Sequence, residues 1–518
     1  MSDLPNDLLM STLSQGDTTV DISDEILETI NVAPIVEPIV LDGVDEEFTD
    51  AVEIELTLTE GTSLRTETAG STVLTGESLQ GTAEDPASIS LVTDGSNEAQ
   101  LVAVNTSSIA NTVITTAESV DGSSVAAAQV VISSETVESV SIKTASTEQK
   151  SQVRFDQSTD SLSGVRIEME GAGGNLDIQS SSVDNLQVKA AGDQFSEITF
   201  GAEVEEVSNA QIEIGKSGGS LEMEGGTLAS STIAIASDRG AVNSVNITSD
   251  VESVTDTTLQ LTKGASNIGI ASATVKDVSV VANSKEPTSL VVNSADVKGF
   301  TLSVGKSEAS LDLASESRIG GTTLASSTKG TFDATIDAAT KNTSISNSKG
   351  GNIDAAFTEK AINPSISNEG KGTVEANFES ATKGAELEST RGAIEASFSG
   401  RVTDILVDAS TSKGDVSLLF NSKVTDANLN FGRGSDEVIF GGSFGGSSSV
   451  DLGSDKKPDS VTISNPRKVN TPLAISSFGK QDTLVLGGQT FTYDQISEFT
   501  STNSFPGIFG DNITVELI

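Results

Sequence analysis

Apolar and polar residues alternate one for one through much of this chain, in short bouts closed by glycine, serine and asparagine. The first clear bouts, residues 88–92, 112–115, 128–132, 139–142 and 164–169, are rich in Val, Ile and Thr and predict β-strands. The alternation is strictest later, at Val374, Ala376 and Phe378, then Ile394, Ala396 and Phe398, then Val416, Leu418 and Phe420. Successive side chains of a strand point to opposite faces, so each triplet shares one face, and that face is the core. Val438 and Phe440 continue the pattern, and Phe357 falls one residue late. Phe357, Phe378, Phe398, Phe420 and Phe440 are therefore expected to stack as an internal ladder rather than to form an aromatic ligand platform.

The bouts recur. Lys329, Lys349, Lys371, Arg391, Lys413 and Arg433 are each followed by glycine, at spacings of 20, 22, 20, 22 and 20 residues. Lys216, Arg239, Lys263, Lys285 and Lys306 extend the series upstream, and Lys456 and Lys480 extend it downstream. A repeat of this length predicts an all-β solenoid, a parallel β-helix with about 20–24 residues per coil and roughly 15 to 19 coils. The coil at 218–240 shows the expected unit: a strand through Leu221 and Met223, a short apolar touch at Leu228, a strand through Ile233 and Ile235, and a turn at Gly240.

The opposite parity faces solvent, and it places Asp333, Asp354, Glu375, Glu395 and Glu437 in one column. Neighbouring coils lie about 4.8 Å apart, so like charges in that column repel by roughly 0.9 kcal/mol per pair even in water. The basic residues of the adjacent turn are expected to neutralise the stripe, with a bound cation as the alternative.

Composition narrows the chemistry. The chain has no Cys, His or Trp and a single Tyr, which excludes disulfides, thiolate or imidazole metal sites and histidine-based catalysis. Its net charge of −45 argues against nucleic acid and anionic membrane surfaces as partners. No apolar run approaches the ~20 residues of a membrane-spanning helix, and residues 1–5 lack the basic and apolar regions of a cleaved secretory signal. No Lys or Arg precedes Arg65, so residues 1–86 read as an acidic extension. Within it Ser23, Asp24 and Glu25 suit a helix cap, and the prolines at 34 and 38 favour extended chain. Such a segment is expected to cap the solenoid's own end or to add a strand to another subunit. The solenoid body is placed at 87–434 and a C-terminal region at 435–518.

That C-terminal region carries a resemblance. The run from Phe431 through Gly432, Arg433, Gly434, Ser435 and Asp436 to Ile439 resembles the glycine-rich nonapeptide of RTX proteins, which hold calcium between turns of a β-roll. Gly453, Asp455 and Asp459 form a second, interrupted copy. The resemblance implies calcium as the one candidate cofactor, with Gly432, Gly434, Asp436, Gly453, Asp455 and Asp459 as its site. Residues 475–493 and the apolar end at 510–518 resemble the closing segment of type I-secreted surface proteins, which implies export by an uncleaved C-terminal signal and an extracellular, cell-surface location.

Taken together, these features favour an extracellular structural protein that polymerises with itself into a surface layer, filament or matrix. An adhesin for cell-surface polysaccharide is the alternative, and a polysaccharide-degrading enzyme ranks third, because an active site is a local departure from a repeat and every coil here repeats the same letters.

Overall fold

From Ala128–Ser133 to Thr382–Lys383 each turn of the chain runs through three strands, and each strand pairs in parallel with the strand three further on. The computed structural model describes residues 72–84, 86–93, 100–119, 128–146, 149–238, 240–502 and 512–518, together with five strands before residue 69. It is an all-β parallel β-solenoid of about 17 turns, with about 22 residues per turn. Residues 23–29, the proline segment at 35–50 and Arg239 lie outside the described residues. Among the described residues no helix is long and apolar enough to cross a membrane.

The chain divides into two units, residues 1–264 and 265–518. In the first, sheet 1 stacks Ser151–Phe155, Gly174–Ile178, Ser196–Phe200 and Gly219–Met223, aligning Val153, Leu176, Ile198 and Leu221. Sheet 2 stacks the short strands Ser161–Ser163, Ser182–Asp184, Glu206–Ser208 and Gly226–Ala229, each with one inward residue: Leu162, Val183, Val207 and Leu228. Sheet 3 aligns Ile167, Val188, Ile212 and Ile233. All of these inward side chains are buried. The coil at 218–240 thus has three strands, not two: the apolar touch at Leu228 is itself a strand, too short for alternation to reveal.

The second unit repeats the plan, and here the phenylalanine ladder forms. Phe357, Phe378, Phe398, Phe420 and Phe440 stack with ring centroids 4.8, 4.8, 4.9 and 5.2 Å apart and planes within 10° of parallel. Each ring is at most 1% exposed. The parallel register of the strands dictates the near face-to-face stacking.

One corner recurs in both units. Between sheet 2 and sheet 3 a single residue takes a left-handed backbone, as at Asn185, Asn209, Asp277, Gly299, Asn342 and Asp426, with φ between 52° and 67°. Asn, Asp and Gly accept this conformation at little cost, and it turns the chain sharply without spending a second residue. Side chains at this corner also link turns: Asn209 Nδ2 donates to Asp184 Oδ1 at 2.8 Å, and Asn363 Nδ2 to Asn342 Oδ1 at 3.0 Å.

The stacks finish on antiparallel strands. In the first unit, Thr18–Ile22 pairs antiparallel with Ser63–Thr68, and Ile30–Pro34 with Val52–Leu56, which begins the parallel stack through Thr72–Gln80. In the second, Gln489–Thr492 folds back antiparallel on Thr483–Leu486 and leads into the helix Tyr493–Thr502.

Candidate functional site

The basic residues stand on the turn that leads into sheet 1. In the second unit Gly330, Gly351, Gly372, Gly392, Gly414 and Gly434 stack so closely that a Cβ on any of the last five would run into backbone of the glycine before it. Buried side chains hold the turn carbonyls from below. Asn368 Nδ2 donates to Gly351 O at 2.9 Å and Gly372 O at 3.1 Å, and Ser389 Oγ and Ser412 Oγ donate to Gly392 O at 2.9 and 2.6 Å. The residue ahead of each glycine points to solvent, which exposes Lys329, Lys371, Arg391, Lys413 and Arg433. Lys349 breaks step: its own glycine, Gly350, is not the stacked one, and the extra residue before Gly351 is why Phe357 arrives late.

The acidic column forms as expected. Asp333, Asp354, Glu375 and Glu395 are paired neighbours on successive strands of sheet 1, and Ser417 separates them from Glu437. All are exposed. Burial, then the charges of Asp354 and Glu308, push the Asp333 carboxyl up. For Glu375 the Asp354 charge leads, followed by burial and Glu395. The expected neutralisation does not occur: among the described residues no ion pair within 4.0 Å joins this stripe to the turn cations. The turn column and the stripe lie four residues apart along the coil, and among the described residues neither is compensated by an ion pair within 4.0 Å.

The last three turns hold a different arrangement. Strand register places Asp436, Asp459 and Asp482 in the inward column that Ile394 and Val416 fill in the turns before. They are 2%, 4% and 4% exposed, and they are the buried charged residues of the described chain. Each substitutes for a strand carbonyl. Asp436 Oδ1 accepts from Val416 N–H at 2.8 Å, Asp459 Oδ1 from Asp436 N–H at 2.8 Å, and Asp482 Oδ1 from Asp459 N–H at 3.0 Å. Asp482 Oδ2 also accepts from Gly479 N–H at 2.6 Å, whereas Asp436 Oδ2 has no partner. Burial pushes Asp436 up to about 6 and Asp459 up to about 8, and it raises Asp482 as well.

This geometry decides what the calcium-like motif does in the fold. Asp436 and Asp459 stack, but their Oδ1 atoms serve backbone amides, and Asp455 Oδ1 accepts from Lys457 N–H at 2.8 Å. A Cβ at Gly453 would strike Gly432 O, and one at Gly434 would strike Gly414 O, so these glycines serve close stacking. Among the described residues no group of three or more acidic side chains converges as metal ligands would. As placed, the six residues do not fit a shared calcium ion.

The first unit carries a shallow groove of about 180 Å³ on sheet 3. Arg166, Gln187 and Gln211 line one side, Glu168, Lys189 and Glu213 the other, with Ile167 and Val188 between them. Arg166 Nε and Nη2 donate to Glu168 Oε1 at 3.1 and 2.5 Å, and this bond holds the Glu168 carboxyl below its usual value.

Sequence reasoning missed Asp482 and the left-handed corner. Asp482 was legible: Asp436, Asp459 and Asp482 are each followed by inward apolar residues two and four places on, at spacings of 23. In comparisons with known proteins the chain matches no family model, no curated protein and no solved structure, so its reading rests on its own residues.

Proposed function

We propose that this protein is an extracellular structural subunit that associates with copies of itself into a surface layer, filament or matrix. The observation that carries the reading is repetition: in the second unit the exposed columns present the same charge on turn after turn. A catalytic centre is a local departure from such a pattern, whereas an assembling surface profits from it. Association through the sides of the solenoid follows from this repetition, since the sides carry the repeated charge. Export through an ABC-type channel by the C-terminal segment remains part of this proposal, on the resemblance of residues 475–493 and 510–518.

Negative-stain micrographs of the full chain test it. Layers or filaments at physiological salt are expected; dispersed particles at every protein concentration and with or without calcium would sink it. Deleting residues 1–64 uncovers the first unit's strand edges and is expected to add irregular end-to-end aggregates. The adhesin reading has one observation in its favour, the polar groove of Arg166 and Lys189. At about 180 Å³ it is below the ~300 Å³ of ordinary ligand sites, enough for about one sugar ring. A glycan array with the Arg166→Ala variant as control separates this reading, and release of new reducing ends from polygalacturonate or alginate would restore the enzyme.

A further inference from the structure

Two uncompensated columns run along the second unit. The cations Lys371, Arg391, Lys413 and Arg433 precede stacked glycines on four successive turns, and the anions Asp333, Asp354, Glu375 and Glu395 occupy four successive strands. Both are exposed, and among the described residues neither joins the other in an ion pair within 4.0 Å. Both repeat at the coil spacing of about 4.8 Å, and Lys329 with Asp333, Lys371 with Glu375, Arg391 with Glu395 and Arg433 with Glu437 share a level, so a second copy can oppose cation and anion on those turns, while Lys413 meets Ser417. The lysines of sheet 2 lack this match, because Lys298, Lys341 and Lys383 are separated by Gly320 and Ile362 in their column.

We infer that the partner of this surface is a second copy of the same chain, bound side to side, with the cationic turn column of each copy lying along the acidic stripe of the other. This deepens the proposed self-assembly and rests on that reading. The geometry also sets the direction. Lys371 precedes Glu375, and Arg391 precedes Glu395, by four residues, so the two columns lie at most about 13 Å apart on each copy. A two-fold axis along the columns exchanges left for right and brings cations against anions on both lines. A two-fold axis across them would set cation on cation. The pair is therefore parallel, with both copies stacking their turns in the same direction, and its contact is the same patch on each side. Each column offsets the self-repulsion of the other, which no ion pair within 4.0 Å among the described residues does.

Two charge-reversed forms test this by sedimentation velocity. One replaces the stripe, Asp354→Lys, Glu375→Lys and Glu395→Lys; the other replaces the turn, Lys371→Glu, Arg391→Glu and Lys413→Glu. Wild type is expected to associate at low ionic strength and to weaken about tenfold or more at roughly 0.5 M salt, as exposed charges are screened. Each reversed form alone is expected to stay monomeric, and an equimolar mixture to associate again. Wild type that is monomeric at low salt, reversed forms that associate unaided, or a mixture that stays monomeric would each overturn the inference. So would association abolished by a chelator, which would make the stripe a cation holder. Circular dichroism checks folding, and the neutral sets Glu→Gln, Asp→Asn and Lys→Gln, which lose association without regaining it on mixing, serve if a reversed form misfolds. Polymers in micrographs that survive both reversals sink this inference and spare the proposed function; side-to-side pairs without any polymer do the reverse.

Discussion

At Asp459 a carboxyl occupies a place built for valine. Burial raises its folded pKa to about 8, and that of Asp436 to about 6, against about 3.9 for an aspartate in an unfolded chain. The folded state therefore holds the proton more tightly. The stability these groups allow is complete below about pH 4 and is lost as pH rises through about 6 and then about 8. Asparagine keeps the oxygen that accepts Asp436 N–H and carries no charge, so Asp459→Asn should match wild type near pH 4 and exceed it by on the order of 1–3 kcal/mol at pH 8. Urea midpoints across that range check this, and the variant isolates the site from the general relief of a −45 chain at acid pH. Equal slopes for both proteins would refute the burial argument. Asn209 gives a second residue-scale test. Its left-handed φ of 54° suits glycine and opposes a β-branched side chain. Asn209→Gly keeps the conformation and loses only the bond to Asp184, so it should cost about 1 kcal/mol or less in thermal denaturation, and Asn209→Val should cost about 1–3 kcal/mol more.

At the scale of the element, a strand here is held by what stacks on it. Gly392→Ala puts a methyl into the carbonyl of Gly372, an overpacking worth about 1–3 kcal/mol. Phe398→Ala removes the middle ring of the ladder and should cost about 3–5 kcal/mol, while Phe398→Leu keeps most of the volume and should cost far less. Hydrogen exchange should place the lost protection in the strands beside Ile394–Phe398, since each turn contacts only its neighbours. The strands of sheets 1 and 3 were readable because each buries two or three residues in strict alternation, as Val374, Ala376 and Phe378 do. Those of sheet 2 were not, since a segment such as Ser182–Asp184 buries Val183 alone. The corner that follows was hidden for another reason: Asn, Asp, Ser and Gly all satisfy it, and in this composition none of them stands out one at a time. The basic turn stood out because lysine and arginine are scarce, although its position is set by the glycine behind it.

At the scale of the molecule, the repeat itself was the legible part, and the direction of its parallel pairing followed from the coil length. The candidate site was legible in letters and not in geometry. Asp436 and Asp459 stand out as acidic residues beside glycines, but only strand register shows them facing inward behind Val416. The expected cancellation between stripe and turn failed because charges four residues apart in a strand-like segment lie too far apart to meet within one chain.

The column of stacked glycines has a consequence for the history of such a chain. Because the turns from Gly351 to Gly434 each carry a stacked glycine at the same place, a whole turn here is an exchangeable unit: Ile353–Phe357 pairs with Val374–Phe378 just as Val374–Phe378 pairs with Ile394–Phe398. Excising residues 372–391 joins Lys371 to Gly392 and leaves Phe357 facing Phe398, so the shortened protein should keep a β-rich spectrum and a cooperative melt, whereas removing ten residues should not. Length can thus change by duplication or loss of single turns without a new core being invented.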